Sequence, residues 1–442
     1  MSMTVQEFDR ATKPTPKPPI VSWAFWDWGS ASFNAVLVTF IFSVYLTDSV
    51  GATLPEGSNA TSLYSMAVAI AGVIVAVVAP VMGRRSDIKG TRRRSLRMWT
   101  LVTVFLMFCL FTVKNTDPTF FWFGVAIMAI ANITFEFAEV QYYAQLSQIS
   151  TRENVGRVSG FGWSMGYFGG IVLLLVCYLG FVAGDGDTRG FLNLPIEDGM
   201  NIRLVAVLAA VWFLVSAIPA LLRVPEIEAQ VAAEDHPKGL IAAYKDLFGQ
   251  IAELWKQDRN SVYFLIAAAV FRDGLAGVFT FGAILAVSVY GLSAGDVLLF
   301  GVAANVVSAL GALLGGFLDD RVGPKPIILI SLAIMIADAA ILFFVEGPTN
   351  FWIFGLILCA FVGPAQSASR SYLTRLSPDG QEGQLFGLYA TTGRAVSWMV
   401  PSLFGVFVGL TGDDRTGILA IALILLFGIV LLSMVKPPHK VK

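Results

Sequence analysis

Asn132, Glu136, Glu139 and Tyr143 recur at i, i+4, i+7 and i+11 inside an otherwise apolar stretch. On a helix that spacing puts an amide, two carboxylates and a phenol on one face. Other apolar runs are interrupted in the same way, by Asp27 and Asn34, by Arg272 with Asp273, by Gln366 and Arg370 at i, i+4, and by Arg394. A charge near the centre of a bilayer costs at least ~2.5 to 3.5 kcal/mol on insertion scales unless it is paired or hydrated. These side chains must therefore face each other or water. Three kinds of chemistry are open to them. A carboxyl among Asp27, Glu136, Glu139 and Asp273 can load and release a proton. Arg272, Arg394 and Arg370 can hold an anionic group by charge-assisted hydrogen bonds. The same groups can instead pair with one another and lock one conformation.

The elements that hold them are membrane helices. Hydrophobic residues make up 56% of the 442-residue chain and charged residues only 14%, too apolar a balance for a soluble globule of ordinary proportions. Twelve apolar segments of roughly 17 to 26 residues follow, each long enough to cross a hydrocarbon layer of about 30 Å. The predicted fold is all-α, with twelve transmembrane helices in two pseudo-symmetric six-helix halves. Arg84, Arg85, Lys89, Arg92, Arg93, Arg94 and Arg97 share one connection, and Arg321, Lys325, Arg375 and the Lys436 to Lys442 tail fall on the same side. By the positive-inside rule that side and both termini are cytoplasmic. The expected organisation is a disordered tail over 1–19, a first half over 20–222, a linker over 223–259 with an amphipathic helix, a second half over 260–436 and a short tail over 437–442.

Catalysis finds little support. Cys109, Cys177 and Cys359 lie in apolar runs without metal-ligand spacing, and His236 and His439 fall outside those runs. There is no nucleotide-binding glycine loop. The expectation is no enzyme, no cofactor, no metal and no nucleic-acid partner. Asp338, midway along the ninth run, has no assigned role.

Gly83 to Arg94 forms a charged connection whose spacing returns in Gly316-Phe317-Leu318-Asp319-Asp320-Arg321-Val322-Gly323-Pro324-Lys325. Phe25-Trp26-Asp27 is answered by Phe271-Arg272-Asp273. Repetition at this separation indicates a doubled chain. The two connections resemble the signature of the major facilitator superfamily. Within it the chain resembles bacterial homologues of the yeast vacuolar, autophagy-related amino-acid effluxer. The matching stretches are Trp26 to Phe33, Gly156 to Trp163 with Gly166-Tyr167, Gly315 to Arg321, Gln366 to Ser371, Phe386 to Tyr389 and Thr392 to Ala395. This resemblance implies a cytoplasmic latch, to which Gly83, Asp87, Arg92, Gly316, Asp320 and Arg321 are assigned. Where relatives carry Tyr-Asn-Asp-Gly in the seventh helix, this chain has Phe271-Arg272-Asp273-Gly274, and it adds Glu136 and Glu139 in the fourth.

The resulting expectation is a monomeric, proton-coupled secondary transporter of a prokaryotic plasma membrane, exporting a small polar or amphipathic solute such as an amino acid by alternating access. The export direction and the amino-acid class are what the resemblance implies. Two alternatives remain at this stage, a translocase of lipid or glycolipid between leaflets and a transporter-derived receptor or scaffold. Gly162, Gly166 and Gly170, with Gly311 and Gly315, are expected to let helices of the two halves slide.

Overall fold

A computed structural model describes residues 17–184, 186–226, 258–292, 294–378 and 380–437, with isolated positions between 227 and 257. Most of the expected linker and most of both expected tails lie outside the described residues. Twelve helices are long and apolar enough to cross a membrane: α1 Pro19–Thr53, α2 Ala60–Lys89, α3 Arg92–Thr112, α4 Pro118–Ile149, α5 Val155–Val182, α6 Glu197–Arg223, α7 Arg259–Ser288, α8 Leu299–Val322, α9 Pro324–Phe344, α10 Pro348–Leu376, α11 Glu382–Thr411 and α12 Asp414–Met434. The connection between α5 and α6 carries a two-stranded antiparallel ribbon, β1 Thr188–Arg189 and β2 Leu194–Pro195, with Thr188 opposite Pro195.

Short polar residues set the helix starts. Asn59 accepts from the Ser62 N–H at 2.8 Å to open α2, Asp117 accepts from the Thr119 N–H at 2.8 Å before α4, and Asp258 accepts from the Asn260 N–H at 3.1 Å before α7. Each supplies an acceptor to one of the four N–H groups a helix leaves free at its start. Proline opens α4, α9 and α10, where its missing N–H costs nothing.

The charged connection Gly83 to Arg94 is mostly helix. Helix α2 continues to Lys89, and the turn falls at Gly90, whose φ of 63° is left-handed. Likewise α8 runs through Gly316 and Asp320 and stops at Gly323, φ 89°. The apolar run ends where the hydrocarbon ends, but helical hydrogen bonding does not need lipid, so the charged turns stay helical beyond it. Gly83 and Gly316 are therefore packing positions rather than hinges.

Helices α1–α6 form one half and α7–α12 the other. The first half is cored by stacked rings: Trp26 lies 4.4 Å from Tyr142 and 5.9 Å from Phe135, and Trp23 4.4 Å from Tyr142. In the second half Phe264 stacks on Tyr372 at 4.2 Å. The halves meet where α5 packs on α8 and α10, and where α2 and α4 pack on α11. Helix α11 is broken: its first segment is Glu382–Val396 and its second Met399–Thr411, with Ser397 and Trp398 between.

Candidate functional site

The two halves are sealed to each other at the end that carries the basic connections. Asp87, fully buried at the end of α2, accepts from the backbone N–H of Gly383 at 3.2 Å and of Gln384 at 2.9 Å, closing the start of α11. Asp320, near the end of α8, accepts from the backbone N–H of Gly156 at 2.8 Å and of Arg157 at 3.2 Å, closing the start of α5. Both carboxylates thus satisfy the second and third N–H groups of a helix in the opposite half and sit where the helix dipole favours a negative charge.

Glycines let the backbones come this close. A methyl group at Gly83 would lie 1.9 Å from the Gly383 carbonyl oxygen, and one at Gly316 would lie 2.6 Å from that of Gly156. One turn further in, Gly387 faces Ala79 and Pro80, while Gly160 faces Ala312. The two contacts are copies of one arrangement.

Cations brace each copy. Arg92 donates through Nε to Asp87 at 2.7 Å and through Nη2 to Glu382 at 2.5 Å, joining α3 to α11. In the other copy Arg157 donates to Asp320 at 2.6 Å, and Arg375 pairs with Asp319. Arg321 is exposed and outside this network. It was assigned to the latch because it follows Asp320 directly, but successive helical residues point about 100° apart, which turns Arg321 away. Glu382, Arg157, Asp319 and Arg375 were not singled out from sequence; the spacing Gly156/Gly160 against Gly383/Gly387 was the available signal.

Towards mid-height the seal becomes a set of paired charges. Arg370 of α10, 1% exposed, donates through Nε and Nη2 to the hydroxyl and carbonyl oxygens of Ser159 at 3.0 and 2.6 Å, and its Nη1 lies 3.6 Å from Asp27. Four rings surround its guanidinium, Trp23, Tyr143, Trp163 and Tyr142, at 5.0 to 5.8 Å. Glu136 of α4 pairs across the interface with Arg394 of α11. Arg272 of α7 places its guanidinium over the Tyr389 ring, 3.7 Å from its centre. Glu139 sits one turn from Glu136, within electrostatic reach of Glu136, Asp27 and Arg272. Asn132 and Gln366 are half-buried, one turn beyond Glu136 and Arg370 respectively.

The other expected site residues fall elsewhere. Asp273 faces away from this group: its Oδ2 accepts at 2.9 Å from the N–H of Val400, at the head of the second α11 segment. Asn34 is exposed on a π-helical stretch of α1, Ser32–Phe40, where its carbonyl oxygen accepts from Thr39. Of the glycines expected to form a sliding surface, Gly166 packs inside its own half against Asp27, and Gly311 and Gly315 against Ala360 and Pro364, while Gly162 meets both Trp23 of its own half and Arg370 of the other. Asp338 is buried on α9, with Oδ2 lacking a hydrogen-bond partner.

Beyond mid-height the second half is packed more loosely. Added methyl groups at Gly282, Gly301, Gly405 and Gly409 would meet no atom within 4 Å, in contrast to the crowding at the basic end. The outer segment of α11 exposes Pro401, Ser402, Val406 and Leu410. The arrangement is a seal between the halves at one end, with titratable and cationic groups at its inner limit.

Comparison with known proteins gives the lineage. A profile described as Major Facilitator Superfamily matches residues 7–174, and one described as Vacuole effluxer Atg22 like matches residues 139–442. An uncharacterized MFS-type transporter of Bacillus subtilis, YxiO, is 23% identical over 415 residues, 94% of each chain. Autophagy-related protein 22-1 of Neosartorya fischeri is 24% identical over 302 residues, 63% of this chain but only 48% of that protein. Among solved structures, the proton:xylose symporter XylE superposes with a TM-score of 0.73 at 13% identity, over 95% of this chain and 96% of that one. The transporter FucP, in the outward conformation, gives 0.69 at 16% identity, over 95% and 98%. At those identities the likeness is one of fold. With twelve membrane helices in two matched halves and a family profile covering most of its length, this chain belongs to the Atg22-like family of the major facilitator superfamily, a multi-pass membrane transporter and not an enzyme.

Proposed function

We propose that this protein is a proton-coupled secondary transporter that carries a small polar solute through the cleft between its halves by alternating access. The observation that supports this most directly is the one-sided seal: reciprocal helix caps close the basic end, and the cleft floor holds the Glu136–Arg394 pair with Glu139 beside it. A carrier needs a site that is reached from one side at a time, with ionisable groups whose state changes as it turns over. With the basic end taken as cytoplasmic, the described conformation is outward-facing, and the membrane is the plasma membrane of a prokaryote.

The family description suggests the sense of transport. A vacuole effluxer moves solute out of a compartment into the cytosol, and the same sense relative to the cytoplasmic face of a plasma membrane is uptake. The proposal therefore takes solute and proton together towards the cytoplasmic end, rather than outwards as the effluxer label first implied.

The test is reconstitution. Metabolites that differ between cells with and without the protein are offered to proteoliposomes under an imposed pH gradient of either sign. Accumulation driven by protons moving in the same direction as solute supports the proposal. Flux indifferent to the gradient overturns the coupling, and accumulation against the proton movement overturns the direction.

A further inference from the structure

Of the three arginines at the cleft floor, Arg370 and Arg394 have acidic partners in Asp27 and Glu136. Arg272 has none within 4.0 Å among the described residues. Glu139, across the interface in the other half, is within electrostatic reach but outside pairing distance.

The guanidinium is nevertheless held firmly. It lies 3.7 Å over the Tyr389 ring, and Nη1 donates a 3.3 Å bond to the Tyr389 carbonyl oxygen. Nε is buried with no acceptor. Opposite Nη1 the chain has Gly393, where even a methyl would sit 3.4 Å away, so α11 presents only backbone there. Along α7 the next positions on the same face, Ala276, Phe279 and Thr280, are exposed.

A guanidinium offers five N–H donors in a planar fork matched to two oxygens of a carboxylate or phosphate. Stacking on Tyr389 fixes the plane without neutralising the charge. We infer that Arg272 is the anchoring cation for an oxyanion, a carboxylate or a phosphate, on the transported solute, and that this chain selects anionic cargo. The inference rests on the transport reading above. Arg370 is not an alternative anchor: Nε and Nη2 donate to Ser159, Nη1, though without a hydrogen-bond partner, faces Asp27 at 3.6 Å, and the ring cage leaves the side chain 1% exposed. Arg394 would have to give up Glu136 first.

Thermal unfolding of purified protein in phosphatidylcholine nanodiscs tests this without requiring flux. Succinate and glycerol 3-phosphate are titrated against the uncharged analogues succinamide and glycerol. A parallel arm replaces the lipid with phosphatidylglycerol and omits soluble anions. The expected result is stabilisation by a soluble anion and not by its analogue, with the half-saturating concentration raised ~10-fold or more in Arg272→Gln. Arg272→Lys, which keeps the charge but not the fork, falls between and covers the case in which Arg272→Gln fails to fold. Stabilisation by phosphatidylglycerol alone, lost in the variants, keeps the anchor and assigns the oxyanion to a lipid headgroup. No stabilisation in either arm, or equal stabilisation of Arg272→Gln, overturns the inference. Anion binding without flux would remove the transport reading and leave this site standing, whereas uptake of an uncharged solute unchanged by Arg272→Gln would do the reverse.

Discussion

The Oδ2 atom of Asp273 on α7 accepts a 2.9 Å hydrogen bond from the backbone N–H of Val400, so a carboxylate conspicuous in the sequence as a proton carrier serves as the cap of a broken helix. Without it, the start of Met399–Thr411 would leave an N–H unsatisfied away from water. Asp273→Ala is expected to lower stability by about 0.5–2 kcal/mol, read as a fall in melting temperature of the purified protein. Asp273→Asn keeps an acceptor oxygen and should melt near the wild type and transport with the same gradient dependence. An Asp273→Asn protein of normal stability whose flux ignores the gradient would restore Asp273 as a coupling group.

Substituting Gly83 by alanine puts a methyl 1.9 Å from the Gly383 carbonyl oxygen, an approach no relaxation of a flexible side chain can relieve. The expected cost to the sealed state is about 1–3 kcal/mol, enough to shift the balance between basic-end-closed and basic-end-open forms roughly 5- to 150-fold. Alkylation of a single cysteine introduced at Gln384 reports the opening, and it should accelerate in Gly83→Ala and in Asp87→Asn. Equal labelling in all three backgrounds would show that this contact does not hold the closure.

Glu136 and Arg394 provide a direct check on the floor of the cleft, because they belong to different halves and pair with each other. Glu136→Gln or Arg394→Gln alone leaves one charge in a poorly hydrated place and should reduce uptake at least tenfold. The exchanged pair, Glu136→Arg with Arg394→Glu, should recover part of the lost melting temperature. Recovery in the double variant no better than the sum of the singles would mean the two residues act independently.

Glu139 has no cation within pairing distance among the described residues and borders the same floor, which makes it the preferred proton carrier. In Glu139→Gln, accumulation driven by a pH gradient should disappear while exchange of labelled for unlabelled solute at equal pH persists. Gradient-driven accumulation at the wild-type rate in this variant moves the coupling to another carboxylate, with Asp27 next in order because it also lies at the floor.

The twelve spans were readable from run length alone, since an apolar stretch must be about as long as the bilayer is thick. Spacing also brought Gly83, Asp87, Gly316 and Asp320 to attention. Their partners were not readable: Asp87 and Asp320 bind backbone N–H groups of helices hundreds of residues away, and a backbone donor leaves no mark on residue type. Glu382 was overlooked because it stands in a polar connection, where a charge costs nothing until Arg92 buries it. Asp273 and Glu139 look alike as acids inside apolar runs. What separates them is the break in α11 at Ser397 and Trp398; Pro401 marks that break, since it has no N–H to offer the Ser397 carbonyl, but not which acid caps it.

The caps at the basic end also have a symmetry. The second helix of the first half holds the fifth helix of the second, and the second helix of the second half holds the fifth of the first, each through the second and third N–H groups. Residue i touching j while j touches i is the signature of an isologous contact between identical subunits. The single chain therefore carries, inside itself, the interface of a two-fold homodimer, and a protein of half this length bearing one glycine, one aspartate four residues on and one glycine-led fifth helix would hold every part needed to build this seal from two copies.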